Sequence, residues 1–305
     1  MQILPSLHLT YCTNIHPGRG WDDVRANLER IAPRLKAALS PAAPFGLGLR
    51  LSAVEARQLL EGDRLEQFRS FLNREGLYVA LINGFPYGPF HGEPVKTEVY
   101  APDWRDPARL AYTLDLVTIL SRLAPPDIDG GISTSPLSYK AWMASAGRRD
   151  WERIVEHLIV VLERLIEVRQ TTGKWLHLDI EPEPDCSLEN TDETIAFFED
   201  WLRPAALARL TSRFGWNADE ALTHIHDHLA VCFDCCHVAV EFENPQTAIQ
   251  RLAAAGIRVG RVQLSSALRL DLPADAAAAS DMATRLRPFA DATYLHQTVE
   301  QRSGA

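Results

Sequence analysis

The side chains best able to do chemistry leave apolar runs at regular places along the chain. In WLHLDIEPEPDC (175–186) a strand-like run delivers Glu181 and Glu183 into a turn stiffened by Pro182 and Pro184. In VCFDCCHVAV, Asp234 and His237 follow a second run three residues apart, and VGRVQLSS ends a third in Gln263 and Ser265. Oxygen and nitrogen ligands gathered from the ends of successive parallel strands are how a barrel assembles a divalent-metal site. Glu181, Asp234 and Gln263 are therefore the candidate metal ligands. Mn2+ or Mg2+ is preferred, because both favour carboxylate and carbonyl oxygens, and Zn2+ is a further option. Glu181, Glu183 and His237 are the candidate catalytic groups: Glu181 as ligand and base, Glu183 as the alternative base, and His237 as a ligand or a donor to substrate.

Other strand ends add His16, Asn83 and Ser265 as substrate-binding candidates. The loop INGFPYGPFHGEPVKTEVYAPDW adds His91 and Lys96, its cations suited to a phosphate or carboxylate. That loop is long for a connection, and such loops are often functional lids that exclude water. Polar groups at these places are costly to bury without partners, and a metal or polyol would supply them. HIHDH (224–228) carries less weight. His224 and His228 share a helical face while His226 points elsewhere, and no H-E-x-x-H is present, so the cluster reads as inter-helix or surface histidines.

Strand and helix patterns must alternate to bring these ends together, and they do. Strands are predicted at 7–14, 45–51, 77–82, 128–133, 175–180, 231–234 and 259–264. Helices are predicted at 22–39, 53–73 with a break near Gly62, 107–123, 151–170, 193–211, 218–229, 245–255 and 274–289. In the helix at 151–170, Ile154, Leu158, Val161, Leu165 and Val168 form one apolar stripe. This is the pattern of a TIM-type (β/α)8 barrel forming one domain over 1–305. Either the extended segment 293–299 closes the barrel unconventionally or the closing eighth strand lies beyond this sequence; the polar ending QRSGA does not resemble a buried strand and favours the second. The first strand has no G-x-G-x-x-G turn and the chain no P-loop, which disfavours a dinucleotide fold.

The formal net charge of −9, without a dense basic block, disfavours nucleic acid and anionic membranes as partners. No segment has the apolar length of a spanning helix, so no direct membrane insertion is expected. Five cysteines, an odd number at low density, favour a reducing, cytoplasmic setting over a disulfide scaffold. Strand alternation would point Cys232 and Cys236 to one face and Cys235 to the other, as wall or core side chains rather than a zinc clamp.

LTYCTNIHPG, INGFPYGPFHG with VKTEVYAPDW, LDIEPEPDC, FDCCHVAVEFE, VQLSSAL and YLHQTVE together resemble the EboE "metabolite traffic" family. That family is a branch of the xylose-isomerase-like TIM barrels that include sugar-phosphate isomerases and epimerases. The resemblance implies the glutamate after strand five at Glu181 and the D-x-x-H after strand six at Asp234 and His237. It departs from the epimerases at Gln263, where they usually carry histidine, and at the strand-eight glutamate, which no residue here matches. The implied activity is a metal-dependent isomerase or epimerase acting on a small polyhydroxylated metabolite: a sugar, sugar phosphate or cyclitol. The alternative is a metal-dependent binding or processing protein for a metabolite in an export pathway, partnered by other components of that pathway.

Overall fold

The computed structural model describes residues 1–4, 7–88, 96–271, 275–290, 295 and 297–302. Seven parallel strands form one sheet in sequence order: β1 Thr10–Cys12, β2 Phe45–Arg50, β3 Leu77–Asn83, β4 Gly130–Thr134, β5 Leu176–Ile180, β6 Leu229–Asp234 and β7 Arg258–Gln263. The sheet curls through 223°, giving an α/β barrel open between β7 and β1. Among the described residues no eighth strand fills that gap. A separate antiparallel pair, Gln2–Leu4 with Leu7–His8, precedes β1. The run predicted as one strand over 7–14 is therefore divided, and its end is a 3-10 turn at Thr13–Ile15.

Helices cover the outer face. Arg148–Thr172 sinks the predicted stripe Ile154, Leu158, Val161, Leu165 and Val168 into the core. Each such side chain contributes roughly 1.5–3 kcal/mol. The helix stops at Gly173, whose φ of 72° only glycine adopts cheaply. The predicted break near Gly62 separates Ala53–Leu60 from Arg64–Glu75. Asp106 caps Pro107–Leu123 by accepting from the Ala108 N–H. The single helix expected over 193–211 is instead Thr191–Phe197 and Arg203–Phe214 joined by a π-turn at Phe198–Leu202.

The barrel interior is polar on β5. Leu176, Leu178 and Ile180 alternate with His177 and Asp179, both buried, whose Nδ1 and Oδ1 lie 2.6 Å apart. Glycines make the room. A Cβ on Gly260 would sit 2.2 Å from Asp179 Oδ1, and one on Gly131 would sit 2.5 Å from Oδ2. Gly260 lies on β7, two strands from β5, so this contact crosses the interior. Arg261 crosses further, donating from one guanidinium nitrogen to Ser133 Oγ (3.0 Å) and to the Ile82 carbonyl (3.3 Å).

Candidate functional site

Glu181 and Asp234 end up together because β5 and β6 are neighbours whose C-terminal ends open on the same side. Gln263 closes β7 in register with Asp234. Its Nε2 donates to Glu181 Oε1 at 2.6 Å and to Asp234 Oδ2 at 2.8 Å. Sharing one nitrogen, the two carboxylate oxygens are no further apart than those two distances end to end. Asp234 Oδ1 accepts from the Ser265 hydroxyl and from the Cys236 N–H (2.9 Å). Asp234 is thus also the N-cap of a short helix, Cys235–Val240, that starts directly at the strand end.

That helix corrects the reading of the cysteines. Cys235 and Cys236 are helical, so strand alternation does not apply to them, and Cys236 faces Asp234 and His237. The ligand atoms of Asp234, Cys236 and His237 all lie within 4.8 Å of one another. The candidate metal set from the sequence shares only Asp234 with this triad.

His237 Nδ1 donates to the Pro182 carbonyl (3.0 Å) and lies 3.9 Å from Glu181 Oε1, while its Nε2 lies 4.0 Å from Glu183 Oε1. Burial works against a charged His237. Even so, hydrogen bonding to Cys236 and the charges of Glu183, Glu181 and Asp234 hold its pKa up, at about 10. Burial raises Glu181 to about 7, against the pull of His237 and Arg261 and with the push of Asp234 and Glu183. Glu183 is raised too, by burial first. The site is therefore an imidazolium among carboxylates, one of which stands near neutrality as both proton acceptor and donor.

Three residues that sequence reasoning passed over complete the site. Gln297 Nε2 donates to Glu183 Oε1 (2.9 Å), to the Tyr100 hydroxyl (2.9 Å) and to the Pro184 carbonyl (2.8 Å). Tyr100 is buried beside Glu183, and burial and then the Glu183 charge oppose its ionisation. Arg261 is buried below the carboxylates; burial lowers its pKa, but neighbouring groups, Cys232, Glu181 and Asp179 among them, raise it overall. Only Arg261 left a local signal, two residues before Gln263 on one strand face.

Of the substrate-binding candidates, Ser265 reaches the Asp234 carboxylate. His16 Nε2 pairs with the Tyr11 hydroxyl (2.7 Å), and Asn83 Oδ1 accepts from the Phe85 N–H (3.0 Å), closing the turn after β3. Lys96 is exposed at the start of the 3-10 turn Lys96–Tyr100, and His91 lies outside the described residues. His224 and His228 stack near the other end of β5, at 6.1 Å and 2° to each other, with Trp216 on His224.

The donor set fits a divalent cation. Glu181 Oε2 and Glu183 Oε2 are buried without a hydrogen-bond partner among the described residues, and a cation would satisfy such oxygens. Gln263 holds two carboxylates on one nitrogen, and turning its amide would present the carbonyl oxygen to the same place.

No family model matches the sequence, and no curated protein matches it. Solved structures align at low identity. A D-tagatose 3-epimerase-like protein aligns at 12% identity and a TM-score of 0.43, over 71% of this chain and 66% of that one. A zinc-bound IolI protein gives 10% and 0.44 over 82% and 70%. The E. coli 3-keto-D-glucoside 4-epimerase YcjR gives 13% and 0.38 over 79% and 89%. The chain thus spans just under two thirds of the first of these, and its own geometry carries the chemistry.

Proposed function

We propose that this protein is a metal-dependent isomerase or epimerase acting on a small polyhydroxylated carbonyl compound: a sugar, sugar phosphate or cyclitol. The observation that carries the reading is the joining of buried Glu181 and Asp234 on one nitrogen, with His237 beside them. Glu181, Asp234 and Gln263 would hold the cation, with Cys236 and His237 within reach of Asp234. Oxygen ligands suit Mn2+ or Mg2+, whereas recruitment of Cys236 and His237 suits Zn2+. A bound cation would supply Lewis-acid polarisation of adjacent substrate oxygens.

The protein's own groups do the rest. Glu181, near neutrality, takes a proton from the carbon beside the carbonyl, or Glu183 does so from 4.0 Å beyond His237. His237, charged and fixed through Nδ1 to Pro182, offers the compensating proton from Nε2. Tyr100 and Gln297 orient Glu183.

The test is exchange of substrate C–H hydrogen with solvent in the presence of Mn2+, across ketoses, their phosphates and cyclitols. Exchange abolished by Glu181→Gln is the expected result. No exchange with any of them would sink the reading. Gln263 favours a second reading, a binding protein in a metabolite export pathway, because its neutral amide already balances the carboxylates proton transfer would use. Tight binding of a metabolite without exchange would select it.

A further inference from the structure

The segments that follow β4 and β5 line a cleft of about 710 Å3, within the roughly 300–1,000 Å3 of small-molecule pockets. Its walls are fixed. Residues 138–140 and 185–187 zip together through the Tyr139–Cys186 bridge, with Lys140 N–H on the Asp185 carbonyl and Ser187 N–H on the Ser138 carbonyl, each at 2.9 Å. The opposite wall is aromatic: Trp151 and Trp201 stack at 5.7 Å and 28°, against buried Phe197.

Of the charged side chains lining this cleft, three are carboxylates, Asp185, Glu193 and Asp200, and one is a cation, Lys140. Among the described residues the Asp185 and Asp200 carboxylates have no hydrogen-bond or ion-pair partner, and Ser187 Oγ is buried without one. The single lining cation, Lys140, is engaged by Glu189 and by Glu193 (2.9 Å). At the edge of the aromatic wall the Arg148 guanidinium, paired with Glu152 at 2.8 Å, sits 5.8 Å from the Trp201 ring centre. Indole faces with unpaired carboxylates recognise one class of ligand, an organic cation with an apolar body.

We propose that this cleft is a second binding site, separate from the carboxylate centre, for an ammonium-bearing amphiphilic small molecule. Its apolar part would lie on Trp151 and Trp201 and its cation near Asp185 and Asp200. The proposal does not depend on the function assigned to the barrel mouth.

The test is titration of the full chain with benzyltrimethylammonium, followed by calorimetry and ligand-observed NMR, with benzyl alcohol and benzoate as neutral and anionic counterparts. The cation should bind saturably and more weakly in high salt. The double variant D185N/D200N should lose about fivefold in affinity, the size of two exposed charge contacts. Asparagine suits position 185, where φ is 64°, and both side chains are exposed, so the fold should persist. Trp201→Leu should weaken binding independently. Failure to saturate by about 10 mM, a limit near the weakest useful affinity, would overturn the proposal. So would equal binding of the three probes, or full affinity in the double variant.

Discussion

Replacing Gln263 with leucine removes one amide nitrogen and leaves two carboxylates facing each other. Leucine is close to glutamine in size, so the effect is electrostatic rather than a cavity. The two hydrogen bonds, at 2.6 and 2.8 Å, go to acceptors on side chains that are 3% and 9% exposed. Each is a bond to a charged group worth roughly 1.5–3 kcal/mol, and water cannot fully replace it. Glu181 limits the loss, because at pH 7 it stands near its own pKa of about 7 and can take up a proton. The expected deficit is about 3 kcal/mol at pH 7, one full bond and part of the second.

The deficit should grow with pH. A carboxylate raised above its ordinary 4.5 stabilises the fold most below that value, and this contribution is lost as pH rises to about 7. Removing donors that favour the charged form raises the folded pKa further, so in the variant the loss continues past pH 7. Urea denaturation of chelator-treated protein at pH 6, 7 and 9 measures this directly. A deficit below about 0.5 kcal/mol at pH 7, within the scatter of surface substitutions, or one that shrinks toward pH 9, would refute the argument.

His228, buried with Nδ1 on the Leu176 carbonyl (2.6 Å), has its pKa lowered by burial to about 4. Between pH 6.5 and 4 the unfolded chain takes the proton and the fold does not, so stability should fall by up to about 3 kcal/mol across that window. His228→Gln should flatten that slope in thermal melts. Arg109 donates to the carbonyls of Pro102 (2.8 Å), Gly84 (3.1 Å) and Phe85 (2.7 Å), pinning the turn after β3. Arg109→Met should cost about 2–4 kcal/mol by orphaning those carbonyls, and amide exchange at residues 84–88 should accelerate; unchanged exchange there would refute the anchoring role.

Local signals made the repeating frame readable. The helix expected over 107–123 forms as Pro107–Leu123, and the apolar runs placed β5, β6 and β7 within two residues. Cys235–Val240 escaped because a six-residue helix with no loop before it shows no period, and its apolar HVAV continues the look of a strand. Asp234 is an N-cap as well as a candidate ligand, and an aspartate at a strand end carries either role. The π-turn at Phe198–Leu202 hid inside an unbroken helical pattern. The meeting of Glu181, Asp234 and Gln263 was legible because strand ends are a local property. Tyr100 and Gln297 reach Glu183 across 83 and 114 positions of chain, and no periodicity encodes such a meeting.

The crossing of the barrel by Asp179 ties together positions on three strands. With Asp179 and His177 in place, any side chain at Gly131 or Gly260 collides with them. With alanine at 179, the same glycines border a hole. Each single step is therefore unfavourable from either side, and the interior layer can be rebuilt only by coordinated replacement. In a set of relatives, positions 131, 177, 179 and 260 should change as a block: two glycines around the histidine and the acid, or larger residues around two small ones.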